Sequence, residues 1–138
     1  MHKTLLCAVF LLITPLINAQ SLVLAKQFHG NDAQMVNSLA VDNDDNIFSN
    51  VNFWDDVDVN PGPGTLNFNS FGSQDVAIVK LNSSGDFVWG IQLGGVGFQT
   101  SSVVKTDDAG NVFIFGYFNG TMDMDPGAGV YNLVSAGS

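Results

Sequence analysis

Asp56, Asp58 and Asn60 place three oxygen-bearing side chains at alternate positions just before the turn Pro61-Gly62-Pro63-Gly64. Oxygens spaced in this way suit a hard cation such as Ca²⁺, which takes about six to eight of them. A second set, Asp123 and Asp125, precedes Pro126-Gly127, with Thr121 where the first carboxylate would stand. Neither run is an EF-hand loop, because the glycine comes one position late and no glutamate follows to close the shell. A structural reading competes: alternation along a hairpin strand puts Asp58 and Asp123 on its solvent face. Asp56, Asp58, Asn60, Asp123 and Asp125 are therefore the candidate metal residues, and Ca²⁺ is the candidate ion.

Groups for catalysis are scarce. Past the first few residues His29 is the sole histidine, and the one cysteine, Cys7, lies in an apolar run. No serine occupies a nucleophile-elbow pattern. Two aspartates could serve a glycosidase, but a chain whose acids are all Asp makes such pairs by chance. Asn82-Ser83-Ser84 and Asn119-Gly120-Thr121 match the glycosylation sequon and are better taken as turns. Gly94-Gly95-Val96-Gly97 follows a strand but opens no helix, so it fails as a phosphate cradle. Asp42, Asp44, Asp45, Asp107 and Asp108 fit turns in which the side chain bonds nearby backbone amides. Trp54, beside the acidic loop, offers a ring for a sugar face or simply packs the loop. Trp89 sits within an apolar strand and is expected to pack. The expectation is a protein that is not an enzyme.

The two acidic sets are one feature that occurs twice. A shift of 65 positions sets Asn46 on Asn111, Phe48 on Phe113, Phe53 on Phe118, Asp58 on Asp123 and Pro61-Gly62 on Pro126-Gly127. Between Leu22–Ser73 and Phe87–Ser138 there are 16 identities in 52 ungapped pairs. A fixed internal period points to a repeat architecture. The elements that would carry it are short and β-rich. Strands are expected at Ser21–Phe28, Met35–Val41, Ile47–Phe53, Asp75–Leu81, Asp86–Leu93, Ser101–Thr106 and Asn111–Phe118. Hairpins are expected at Asp56–Val59 with Thr65–Asn69 and at Met122–Asp125 with Val130–Val134. In the first hairpin Val57, Val59, Leu66 and Phe68 share one face. No window of helical length shows a period of 3.6, so the class is all-β.

Lys80-Leu81, Gly85, Trp89, Gly94-Gly95, Asp107, Gly110-Asn111-Val112-Phe113 and Gly116 come in an order that resembles the SBBP-type β-propeller repeats of secreted bacterial proteins. Gly120–Gly127 is similar to the acidic "GT.D.DPG" loop of such copies. The first copy departs from the pattern with Leu24 for Trp89, His29 for Gly94, Asp45 for Gly110 and Val51 for Gly116. The resemblance implies β-propeller repeats, secretion or display at a bacterial cell surface, and a structural or binding role. It specifies no activity. The domain reading is a first repeat region at 20–85 and a second, incomplete one at 86–138. These amount to about 1.8 blade-like units. Propellers typically close with about four to eight blades, so the chain is expected to be a fragment whose partners include further blades of the same protein. Alone it should be poorly folded or self-associating. Three functions follow: a non-enzymatic scaffold, a calcium-stabilised lectin-like or adhesive module, and the scaffold portion of a secreted hydrolase or lyase with catalytic residues outside this chain. The ligand is an unidentified protein or carbohydrate.

Charge narrows the partners. The 13 acidic residues are all Asp, Arg and Glu are absent, and the formal net charge is −9. Such a surface repels phosphate backbones, which argues against nucleic acid. At the N-terminus a basic head, Met1-His2-Lys3, an apolar run, Thr4–Ile17, and Asn18-Ala19-Gln20 have the layout of a secretory signal peptide over 1–19. The run is short for a membrane span, and no transmembrane segment is expected in the mature chain. Without the leader, 13 aspartates face Lys26, Lys80 and Lys105, a balance of −10. Intact-mass analysis of the exported protein should show a chain beginning at Gln20; retention of Met1–Ala19 would refute the leader.

Overall fold

Runs rich in Val, Ile and Phe, broken by Asp, Asn and Gly, give ten strands and no helix in the computed structural model, which describes residues 22–137. The expected leader lies outside these residues. The strands are β1 Gln34–Val41, β2 Ile47–Phe53, β3 Asp56–Asp58, β4 Asn67–Asn69, β5 Asp75–Leu81, β6 Phe87–Val96, β7 Gln99–Thr106, β8 Val112–Phe118, β9 Thr121–Asp123 and β10 Asn132–Val134. One sheet runs β1-β2-β5-β6-β9-β10, and β3-β4 and β7-β8 form separate two-stranded ribbons. The protein is all-β, built of small sheets that do not close into a barrel or ring among the described residues. No described helix is long and apolar enough to cross a membrane.

The 65-residue shift carries β1 onto β7, β2 onto β8, β3 onto β9 and β4 onto β10 with identical bounds. A register slip between Val36 and Ser38 recurs between Ser101 and Val103. Turn conformations recur as well. Asp45 (φ 61) matches Gly110 (φ 82), and Asp55 (φ 58) matches Gly120 (φ 75). The left-handed backbone favours glycine, and aspartate is among the few other residues that enter it readily.

Pairing sets the phase of the repeat. β1, β2, β5 and β6 are joined edge to edge as an antiparallel meander, and β7-β8 begins a second layer against it. The seam between units therefore follows Val96; a boundary at 85/86 falls in the turn between two paired strands. The expected strand over Ser21–Phe28 also differs. Leu22–Phe28 forms no strand, and only a bridge between His29 and Asp58 remains of it. Its counterpart β6 is held by β5, and the positions that match β5 in the first unit, 10–16, precede the described residues. Among the described residues no strand edge lies beside Leu22–Phe28 to take its backbone hydrogen bonds.

β2 is buried from Phe48 to Phe53. Alternate side chains point to opposite faces, so it serves two layers. Val51 and Phe53 join Val57 and Val59 of the first hairpin with Ala77, Val79 and Leu81, and Leu66 and Phe68 pack against that cluster. The shared hairpin face expected from the sequence is therefore present. On the other face, Phe48 packs with Ala40 and Val104, flanked by Trp89 and Val112.

The second hairpin docks on β6, where Gly94, Gly95 and Val96 pair with Asp123, Met122 and Thr121. A Cβ on Gly95 would collide with the Thr121 carbonyl, and one on Gly30, its counterpart, with the Asp56 carbonyl. The repeat keeps glycine at both places because backbone passes over backbone there. Gly95→Ala should cost about 1–3 kcal/mol, an overpacking penalty, measured by urea unfolding. Amide-exchange protection should fall first at Thr121–Asp123; unchanged protection there would contradict this docking.

Candidate functional site

The acidic loops are braces for their own backbone. Asp58 Oδ1 accepts the N–H groups of Asn60 at 3.0 Å and Leu66 at 2.9 Å, and Asn60 Oδ1 accepts that of Gly62 at 2.9 Å. The second loop repeats each bond. Asp123 Oδ1 accepts from Asp125 at 3.0 Å and Tyr131 at 2.8 Å, and Asp125 Oδ1 accepts from Gly127 at 2.7 Å. The Tyr131 and Asp125 N–H groups hold the Asp123 carboxyl below its ordinary value. Asp56 turns to another partner, accepting from Asn31 Nδ2 at 2.8 Å. Among the described residues no three His, Cys, Asp or Glu side chains gather around one point where an ion could sit. Asp58 and Asp123 each spend one oxygen on two backbone donors, an arrangement that holds the turn before any ion is added.

The remaining turn acids behave in the same way. Asp42 Oδ1 accepts from the Asp44 and Asn46 N–H groups at 3.0 and 2.9 Å, and Asp107 Oδ1 from Ala109 and Asn111 at 3.0 and 2.8 Å. The Asn46 side chain lowers the Asp42 carboxyl, and the Asn111 side chain lowers that of Asp107. Asn82, in the first sequon, braces a turn through the N–H groups of Ser84 and Asp86. Asp108 does more than turn, since Asn43 Nδ2 donates to it at 3.0 Å across the seam between units.

Sequence reasoning missed Asp75. This carboxylate is fully buried, and burial pushes it above its ordinary value. Its Oδ2 accepts from the Phe71 N–H at 3.1 Å and from Gln92 Nε2 at 2.6 Å. With its amide nitrogen turned inward, Gln99 donates to Oδ1 at 2.7 Å. The set ties the loop before β5 to β6 and β7. Gly94 leaves room for it, because a Cβ there would strike the carboxylate. The available signal was the identity of Gln27 with Gln92 and of Gln34 with Gln99 under the 65-residue shift. Asp75 itself falls opposite Phe10, so the shift gave no hint of the acid that the glutamines serve.

A polar groove of about 260 Å³ opens between the two hairpins, lined by Phe68, Phe71, Gln92, Asp123, Asp125 and Pro126 among others. Phe71 is 69% exposed there. Trp54 is half-buried beside the first hairpin. Trp89 packs edge-on to Phe48, ring centroids 6.0 Å apart, at the seam between the units. His29 pairs with Asp58 through the backbone. The structure thus brings Asp123 and Asp125 to one groove and places Asp56, Asp58 and Asn60 outside it.

Compared with family models, curated proteins and solved structures, the chain matches none of them.

The brace has a measurable signature. Asp58→Ala strands two backbone donors and should lower stability by about 1–2 kcal/mol, equally in Ca²⁺ and in chelator. Asp58→Asn keeps an acceptor oxygen and should avoid most of that loss. A stability gain with Ca²⁺ that Mg²⁺ does not match, and that Asp58→Asn abolishes, would show a selective cation site instead.

Proposed function

We propose that this chain is a non-enzymatic, secreted β-propeller-repeat segment that serves as a structural or binding scaffold. The observation that carries the reading is the seam. A four-stranded meander packs its face on β7-β8, and matched positions of successive units touch there. Asn43 bonds Asp108, and Thr106 Oγ1 lies 3.5 Å from the Val41 carbonyl oxygen, each pair 65 residues apart. Radially repeated sheets use stacking of this kind. The acidic side chains favour a scaffold as well, since those that would be candidates for chemistry are engaged in bracing turns.

The groove between the hairpins favours a lectin-like version of this role. The exposed ring of Phe71 offers an apolar face to a pyranose, while the Asp125 carboxylate offers an acceptor to its hydroxyls. Ca²⁺ is a candidate for stiffening the loops in this version only. Glycan-array screening of the exported chain, followed by titration calorimetry, tests both versions. A saccharide bound by the wild type and lost in Phe71→Ala supports the lectin-like surface. Hydrolysis or elimination of any bound glycan by the purified chain, abolished by an Asp→Asn change, would overturn the non-enzymatic reading.

A further inference from the structure

Each unit has two faces, and one pairing of them is already made inside the chain. The first unit presents Phe48, Asn50 and Asn52 of β2. The second receives them on Thr100, Ser101 and Val104 of β7 and Val112 of β8. Trp89, from β6, closes the seat around the Phe48 ring. Asn50 Nδ2 donates to Ser101 Oγ at 2.7 Å, and Asn52 Nδ2 to Thr100 Oγ1 at 2.5 Å. The 65-residue shift then names the two faces left over. Phe113, Phe115 and Tyr117 stand where Phe48, Asn50 and Asn52 do, and they are 55%, 78% and 64% exposed. Met35, Val36 and Leu39 stand where Thr100, Ser101 and Val104 do, and they too are exposed.

The leftover faces match each other in shape. Phe48 sits among Trp89, Val104 and Val112, whose counterparts are Leu24, Leu39 and Ile47. Those three residues line one open groove of about 240 Å³ on the first unit. The groove stands where the ring of Phe113 would enter if the packing between the units were repeated once more.

They match in polarity as well. The internal seam pairs amide with hydroxyl, Asn50 on Ser101 and Asn52 on Thr100. The shifted positions pair ring with aliphatic chain, Phe115 on Val36 and Tyr117 on Met35. Ser38, opposite Asn50 in the β1–β2 ladder, becomes Val103, opposite Phe115 in β7–β8. Both sides of the seam have changed character together. An ordinary solvent face gains nothing from such a pairwise change, and exposed apolar residues gathered on one face mark an interaction surface. Two charges interrupt the faces: Lys105, the counterpart of Ala40, stands beside Phe113, and Lys26 lines the groove.

We propose that these faces form one heterologous, head-to-tail interface, and that its occupant is a second copy of this chain. Phe113 of one copy enters the Leu24–Leu39–Ile47 groove of the next, by the geometry that seats Phe48 inside each copy. A head-to-tail contact repeats until it closes into a ring or continues as a filament. The inference goes beyond the scaffold reading: a filament would carry the interface while contradicting a closed propeller.

Sedimentation velocity of the full exported chain tests this. The wild type should assemble beyond a dimer with rising concentration. Phe115→Asp and Leu39→Asp, one on each face, should each be monomeric. Mixed in equal amounts, they should form a heterodimer and stop, because one good face of each kind remains. Far-UV circular dichroism checks that both variants are folded. Should either fail, Tyr117→Lys and Met35→Lys probe the same two faces. A wild type that stays monomeric, a single variant that still assembles alone, or a mixture that stays monomeric would each overturn the proposal. The first of these would mean that a different partner covers the faces.

Discussion

The fold depends on burying one strand on both of its faces. β2 lends Val51 and Phe53 to the hairpin layer and Phe48, Asn50 and Asn52 to the next unit. Neither layer alone would bury it, and each is held against the other through it. The cost of the second contact is visible at Asn50, which is fully buried with its Oδ1 unpartnered. Such an atom forfeits about 1–3 kcal/mol. The seam tolerates it because Nδ2 of the same amide bonds Ser101, and directional bonds of this kind set register where apolar contacts would slide.

A second constraint is backbone passing over backbone. The hairpins of both units reach back to the preceding segment, β9 on Gly94–Val96 and β3 on His29. Glycine at 30 and 95 is the condition for that approach. Beside it, Gly94 makes room for the buried carboxylate of Asp75. The two neighbouring glycines thus do different work, one admitting a strand and the other an acid.

The acidity has a local cause. All the acids are Asp, and aspartate is short enough to bond the backbone two to four residues ahead, which a longer side chain does poorly. Asp42, Asp58, Asp107 and Asp123 all do so. Turn braces thus account for part of the negative net charge. At Asp42, Asp107 and Asp123 these bonds hold the carboxyl below its ordinary value and fix it in place within its turn.

The period, the class and the turns were legible in the residues because they are local. Short β-rich runs set β1, β2, β5 and β8. The Asp-Asn and Gly signals set the turns, and the identities set the 65-residue shift. The phase was not legible, since a repeat can be cut anywhere and only pairing shows that β5 and β6 belong together and that the seam follows Val96. The strand expected over Ser21–Phe28 does not form at Leu22–Phe28: its residues favour a strand, but among the described residues no edge lies beside it. Asp58 and Asp123 had the right types and spacing for a cation. Only the positions of the Leu66 and Tyr131 amides, eight residues further along each chain segment, show that these carboxylates are engaged. Asp75 and the paired change across the seam lay furthest from view. Both depend on which residues meet across layers, and that is a property of packing that spacing along the chain does not encode.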